Sequence, residues 1–315
     1  MKGLTDIPGI RVGHVSDFDA LTGCTAILCQ PGAVAGVDIR GSASGTEEIE
    51  TLDPGHVTEQ IHGILLAGGS AFGLEAASGV RRYLEHKGIG FDTGAAKVPI
   101  VPAAILYDLA IGKADVRPTL AMGEAAAAAA SDAAVAEGCV GAGTGATVGK
   151  ILGMRQAMKS GIGCWTVTLP SGVLVACLAA VNAFGDVRDP ATGKIVAGAR
   201  QAPDSREFAD TEAQMKQRPA SGFAGRNTTL AVVATNARLS KVQARKLAQF
   251  ASLGMARTIY PVNTTFDGDT VFALSLGSQA ADLNTLGVAA AEALSAAILR
   301  AVKLAKTMGG VPGLA

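Results

Sequence analysis

Apolar runs that suit strands arrive in adjacent groups along this chain, and the long helical stretches stand apart from them. Residues 9–40 alternate short apolar runs with turns, with strand candidates at 24–29 and 32–38. A third strand is expected at 61–67. It enters a Gly-rich turn and then a helix over 74–86 with apolar residues at helical spacing. Residues 98–104 read as a Pro-punctuated loop, and 120–137 as an alanine-rich helix ended by Gly138. A hairpin follows, with strands at 160–167 and 173–181 around Pro170, Ser171 and Gly172. The polar segment 185–225 reads as exposed and mobile. Beyond it come a strand at 229–235, a helix at 240–254, a strand at 270–276 and a last alanine-rich helix at 280–306. Such grouping favours layers of helix on sheet over alternating βαβ units. No repeat and no domain boundary interrupts it, so the 315 residues read as a single domain.

The layers must pack closely, because 40 residues are glycine and only 4% are aromatic. Basic and acidic residues balance at 27 each, and with no basic cluster nucleic acid is not an expected partner. The first residues lack the apolar centre of a signal peptide and are broken by Pro8. No apolar run reads as long enough to span a bilayer. Five scattered cysteines without CxxC spacing read as reduced, buried thiols, and the expected location is cytoplasmic.

Several motifs fail on inspection. Gly68-Gly69-Ser70-Ala71-Phe72 resembles a nucleophile elbow but lacks its final glycine. The required downstream histidine is missing too, since His14, His56, His62 and His86 are the only four. A strand-to-helix turn that uses glycine for packing accounts for the segment better. Gly141-Ala142-Gly143-Thr144-Gly145-Ala146 matches a dinucleotide fingerprint, yet no acid lies between Glu137 and Asp186 to hold a ribose. A phosphate loop fails at Thr144 and Ile151. Neither metal-ligand spacing nor a cofactor motif is present.

The segment from Gly225 to Asn236 carries the chemistry. A glycine-containing stretch runs through Arg226 and Asn227 into Thr228, and an apolar strand begins at once. A chain cut before Thr228 would free an α-amine, whose ordinary pKa is about 8, to serve as base for the adjacent hydroxyl. No histidine is then needed. Read alone, Thr228 is also an ordinary β-branched strand residue. Asp267 and Asp269 flank Gly268 and point to one side of an extended chain, so one carboxyl should have a raised pKa. The other reading of that pair is a surface turn or cation-binding loop. Lys150 follows a Gly-rich loop, as either a cation near Thr228 or a solvated lysine. Asn182 ends an apolar strand and could donate to an oxyanion or cap a turn. Tyr107 could be a second donor or a core tyrosine.

Together these residues resemble the P1 peptidase family, which includes L-aminopeptidase/D-esterase and the β-peptidyl aminopeptidases. The likeness also takes in the stretches around Gly9–His14, Leu66–Leu74, Tyr107-Asp108, Gly141–Gly145, Gly161–Gly163 and Val181–Asp186. It implies an α/β fold: a four-layer αββα sandwich of the self-processing N-terminal nucleophile type. It also implies a cut between Asn227 and Thr228 into residues 1–227 and 228–315 that stay together. Aminopeptidase members use a Ser nucleophile and a Ser-x-Glu pair. Thr228 with Asp267 and Asp269 instead looks like the nylon-oligomer (6-aminohexanoate oligomer) endo-hydrolase branch. The resemblance makes Thr228 the nucleophile, activated by Asp267 and Asp269. Lys150 tunes its amine, while Tyr107 and Asn182 assist the oxyanion. It implies a cofactor-free hydrolase of peptides or amide oligomers and a homo-oligomer, a dimer or tetramer. The alternatives are an aminopeptidase or esterase of small peptides, and an acyltransferase of the ornithine acetyltransferase type.

Overall fold

A computed structural model describes residues 2–217 and 227–315. Its strands are named here β1 (Ile10–Asp17), β2 (Thr22–Ile39), β3 (Ile61–Ala67), β4 (Ala103–Ile105), β5 (Ile162–Thr168), β6 (Leu174–Asn182), β7 (Thr228–Ala237) and β8 (Thr270–Gln279). The 18-residue β2 belongs to two sheets. Its first part pairs with β1 and β3, and β3 continues in parallel to β4. Its last part pairs with β8, and the order runs on through β7 and β6 to β5. The register of β2 shifts between Leu28 and Ala33, where Pro31 has no N–H for a ladder.

Side-chain alternation separates the layers. Ile27, Ile64 and Leu66 meet Leu178, Leu230, Val232 and Phe272 between the two sheets. The outer face of the first sheet, with Ala26, Leu28 and Leu65, is covered by α1 (Glu75–His86) and α2 (Leu120–Ala128). The outer face of the second, with Cys177, Val233 and Ala273, is covered by α4 (Lys241–Thr258) and α5 (Leu283–Lys303). The result is the four-layer αββα sandwich that the resemblance implied. Burial of apolar surface on three interfaces supplies its driving force.

Glycine sets the spacing of the layers. A Cβ on Gly123 of α2 would lie 1.8 Å from the carbonyl oxygen of Ala76 in α1. Alanine is the better helix former by about 1 kcal/mol. That gain loses to a backbone overlap, so Gly123→Ala is expected to destabilise the fold by about 1–3 kcal/mol. A denaturant midpoint at or above that of the wild type would show that the helices can separate without loss.

Four readings of the sequence change. The helix expected at 120–137 stops at Ala128, because the backbone beyond it is taken by tertiary partners. Ser131 exchanges hydrogen bonds with Val12 (3.0 and 3.2 Å), and Val135 N–H donates to Lys2 O at 2.8 Å. Residues 98–104 are not all loop, since Ala103 opens β4. Part of 185–225 is ordered and buried: α3 (Thr211–Gln217) is anchored by Asp186, whose carboxylate accepts from Ala199 N–H, Thr211 N–H and the Thr211 hydroxyl. The rest of that stretch, 218–225, lies outside the described residues, as does Arg226. Finally, α5 has the length and apolarity to cross a bilayer, although 67% of its apolar window is buried here, against the second sheet and α4. All five cysteines are free and buried.

Candidate active site

The ends of four strands meet at one end of the sandwich. β6 runs antiparallel to β7 and β7 parallel to β8, so the last residue of β6 and the first residues of β7 and β8 share an edge. Asn182 is the register partner of Thr228, and Asn227 bridges to Asp267. Asn182, Thr228, Asp267, Asp269 and Lys150 are all at least 96% buried. This rules out the solvated reading of Lys150 and the surface-turn reading of the two aspartates.

The peptide bond between Asn227 and Thr228 is held from both sides. The Thr228 hydroxyl donates to the carbonyl oxygen of Asn227 at 2.5 Å. The Gly268 N–H donates to the same oxygen at 2.8 Å. With a C=O bond of about 1.23 Å, the hydroxyl oxygen is within about 3.7 Å of the carbonyl carbon whatever the angle. The two carboxylates do not touch the Thr228 hydroxyl among the described residues; they grip the backbone around it. Asp269 accepts from Thr229 N–H at 2.6 Å and Asn263 N–H at 3.0 Å. Asp267 accepts from Phe184 N–H at 3.2 Å and from the Thr264 hydroxyl at 2.5 Å. Carbonyl oxygens of the same pair receive N–H groups from Arg40 and Ala43, which tie the turn to the end of β2.

Burial disfavours charge throughout the cluster. It pushes the Asp269 carboxyl up to about 7, with the Asp267 charge adding to the rise and hydrogen bonds from Thr229 and Asn263 opposing it. Asp267 is raised for the same first reason, against the pull of its hydrogen bonds and Lys150. Burial lowers Lys150 to about 7, against the attraction of Asp267 and Asp108. The Lys150 ammonium donates to Asn182 Oδ1 at 2.7 Å and Asn182 O at 3.0 Å.

Asn182 Nδ2 donates at 2.8 Å to the backbone carbonyl of Tyr107, so Asn182 links Lys150 to the Tyr107 segment. Tyr107 is half-buried. It lines a small cleft with Asp108, Ile111, Thr147, Lys150 and Met154. The structure thus links all six residues selected from the sequence, Tyr107 through its backbone carbonyl on Asn182, whereas the cleft beside Tyr107 is lined by Lys150 and not by Thr228. Gly268, Thr264 and Asp108 were not selected. Asp108 accepts from Gly69 N–H at 2.7 Å and from the Thr22 hydroxyl at 2.8 Å, which fixes the turn once compared with a nucleophile elbow. Adjacency to Tyr107 was its one visible signal.

A two-sheet αββα sandwich of this kind is the N-terminal nucleophile hydrolase fold. The L-aminopeptidase D-Ala-esterase/amidase of Ochrobactrum anthropi, described as a variant of that fold, superposes with a TM-score of 0.73. It is 20% identical, over 99% of this chain and 88% of that one. The chain belongs to peptidase family S58, whose profile matches residues 2–315. An uncharacterized aminopeptidase of Mycobacterium bovis is 40% identical, over 99% of this chain and 96% of the relative. A 6-aminohexanoate-oligomer endohydrolase of Kocuria sp. is 32% identical, over 95% and 85%. The protein is therefore a hydrolase of amide bonds.

Proposed function

We propose that the chain cuts itself between Asn227 and Thr228 and then uses the new N-terminal Thr228 as nucleophile on an amide substrate. The 2.5 Å contact between the Thr228 hydroxyl and the Asn227 carbonyl oxygen carries this reading. In the first stage the hydroxyl oxygen bonds to the Asn227 carbon and the C–N bond breaks. The hydroxyl proton ends on the Thr228 nitrogen, and water hydrolyses the resulting ester. In the second stage the free amine takes the hydroxyl proton as Thr228 attacks the substrate. It passes that proton to the leaving amine, and water releases the acyl group. Asp267 and Asp269 hold the amine, Lys150 favours their charged forms, and Asn182 and Tyr107 assist the oxyanion of the substrate reaction.

The substrates proposed are peptides or 6-aminohexanoate oligomers. The aminopeptidase reading rests on the mycobacterial likeness, and the endohydrolase reading on the Kocuria likeness together with Thr228, Asp267 and Asp269. Incubation with 6-aminohexanoate oligomers, with aminoacyl anilides, and with an added amino acid acceptor separates these from acyl transfer. Turnover of none of them by a folded, cut enzyme would sink the substrate assignment.

The pH dependence follows from the cluster. Asp269 titrates at about 7, so its ionised form, which holds the amine, is lost as pH falls through that value. The kcat/KM profile is expected to rise with pH and to show an acid limb near 7. A flat profile between pH 5 and 8 would contradict the role given to Asp269.

A further inference from the structure

We infer that the backbone N–H of Gly268 is the oxyanion donor for self-cleavage at Asn227-Thr228. The inference rests on the self-processing reading above and goes beyond the residues it uses.

Two of the assigned side chains are engaged elsewhere in the uncut chain. Asn182 Nδ2 donates to the Tyr107 carbonyl, and the Lys150 ammonium to Asn182. The Asn227 oxygen accepts instead from Gly268 N–H at 2.8 Å, a distance suited to an oxyanion donor. When Thr228 Oγ1 bonds to the Asn227 carbon, the carbonyl π electrons move onto that oxygen. As the C–N bond breaks they return, and the Oγ1 proton ends on the departing nitrogen. Its own hydroxyl donor is consumed as the attack proceeds, because that oxygen becomes the nucleophile. The Gly268 N–H is then the remaining donor on the oxyanion among the described residues. A carboxylate stands on each side of Gly268, an adverse field for a further anion, so a fixed donor matters more here than in water.

Position 268 also admits no side chain. A Cβ there would lie 2.7 Å from Thr228 Oγ1 and 2.6 Å from the carbonyl oxygen of Ala43. Glycine is what lets the donor, the scissile carbonyl and the nucleophile share one point.

The test exchanges one backbone atom, which removes the N–H and weakens the Asp267 carbonyl that accepts from Ala43. Full-length chain is made by in vitro translation with glycolic acid in place of Gly268, which turns that N–H into an ester oxygen. The same exchange at Gly277, further along β8, serves as the control. The rate at which fragment 228–315 appears is expected to fall about 10²- to 10³-fold for the first chain, and to stay near wild type for the control. Cutting of the first chain within about threefold of wild type would overturn the inference and leave self-processing intact. A folded wild-type chain that never cuts would remove both. A second measurement needs no altered backbone. In isotope-labelled Thr228→Ala protein, a through-hydrogen-bond coupling between Gly268 nitrogen and the Asn227 carbonyl carbon is expected. Its absence in folded protein would overturn the inference.

Discussion

A Thr228→Ala chain is expected to remain one 315-residue species and to lose amide hydrolysis. The wild type should resolve into 1–227 and 228–315 by intact-mass spectrometry. The substitution removes the hydroxyl that lies 2.5 Å from the Asn227 carbonyl oxygen, and with it both the cut and the later nucleophile. Removal of a nucleophile costs on the order of 10⁴- to 10⁶-fold in turnover. Thr228→Ser keeps the hydroxyl and should still cut, which separates loss of chemistry from loss of fold. The variant must be shown to fold, because Thr228 is buried beside Asn182. A Thr228→Ala protein that still divides at this bond, or that hydrolyses amides at the wild-type rate, would end the mechanism.

The second large effect is expected at Lys150. Lys150→Met keeps most of the volume and removes the cation. Asp267 and Asp269 then lose the charge that opposes their protonation. The pKa of Asp269 should rise further above 7, so the acid limb of kcat/KM moves to higher pH. At neutral pH the loss is expected to be on the order of 10²- to 10³-fold, with partial recovery in alkaline buffer. Stability changes less, because two effects oppose. The wild-type lysine has its folded pKa lowered to about 7, so its contribution to stability is lost as pH falls toward that value, and methionine escapes this cost. Against this, Asn182 O and Oδ1 lose their ammonium donor. Lys150→Arg is not expected to rescue activity, since the guanidinium is too large for the buried seat and does not share the ammonium geometry. An unmoved pH limb in Lys150→Met would show that Lys150 acts only as packing.

Most strands were legible because their apolar runs are long and flanked by turns, as in β6 and β7. The layer order followed from their grouping. Helix α2 is shorter than its alanine run because alanine propensity is local, whereas the Val12–Ser131 pairing beyond its end joins residues far apart in sequence. The Gly-x-Ser turn uses its glycine for packing: Gly68 has no room for a side chain beside Asp108. Thr228, Asp267, Asp269, Lys150, Asn182 and Tyr107 form a set in the sequence only through the family resemblance; read one by one, each has an ordinary structural alternative. Gly268 was not legible, since a backbone N–H leaves no mark on composition or spacing. Its direction depends on the register between β7 and β8, which only the folded chain displays.

The place of β7 and β8 in their sheet has a further consequence. They lie side by side, with β6 on one flank and β2 on the other. Residues 228–315 would therefore occupy the middle of a sheet whose borders belong to 1–227. Once the bond is cut, reassembly becomes a meeting of two separate molecules, while the uncut precursor can find its partner strands within one chain. Heat would then inactivate the mature enzyme in one direction, and its working lifetime would be set by how slowly it opens rather than by how well it recovers.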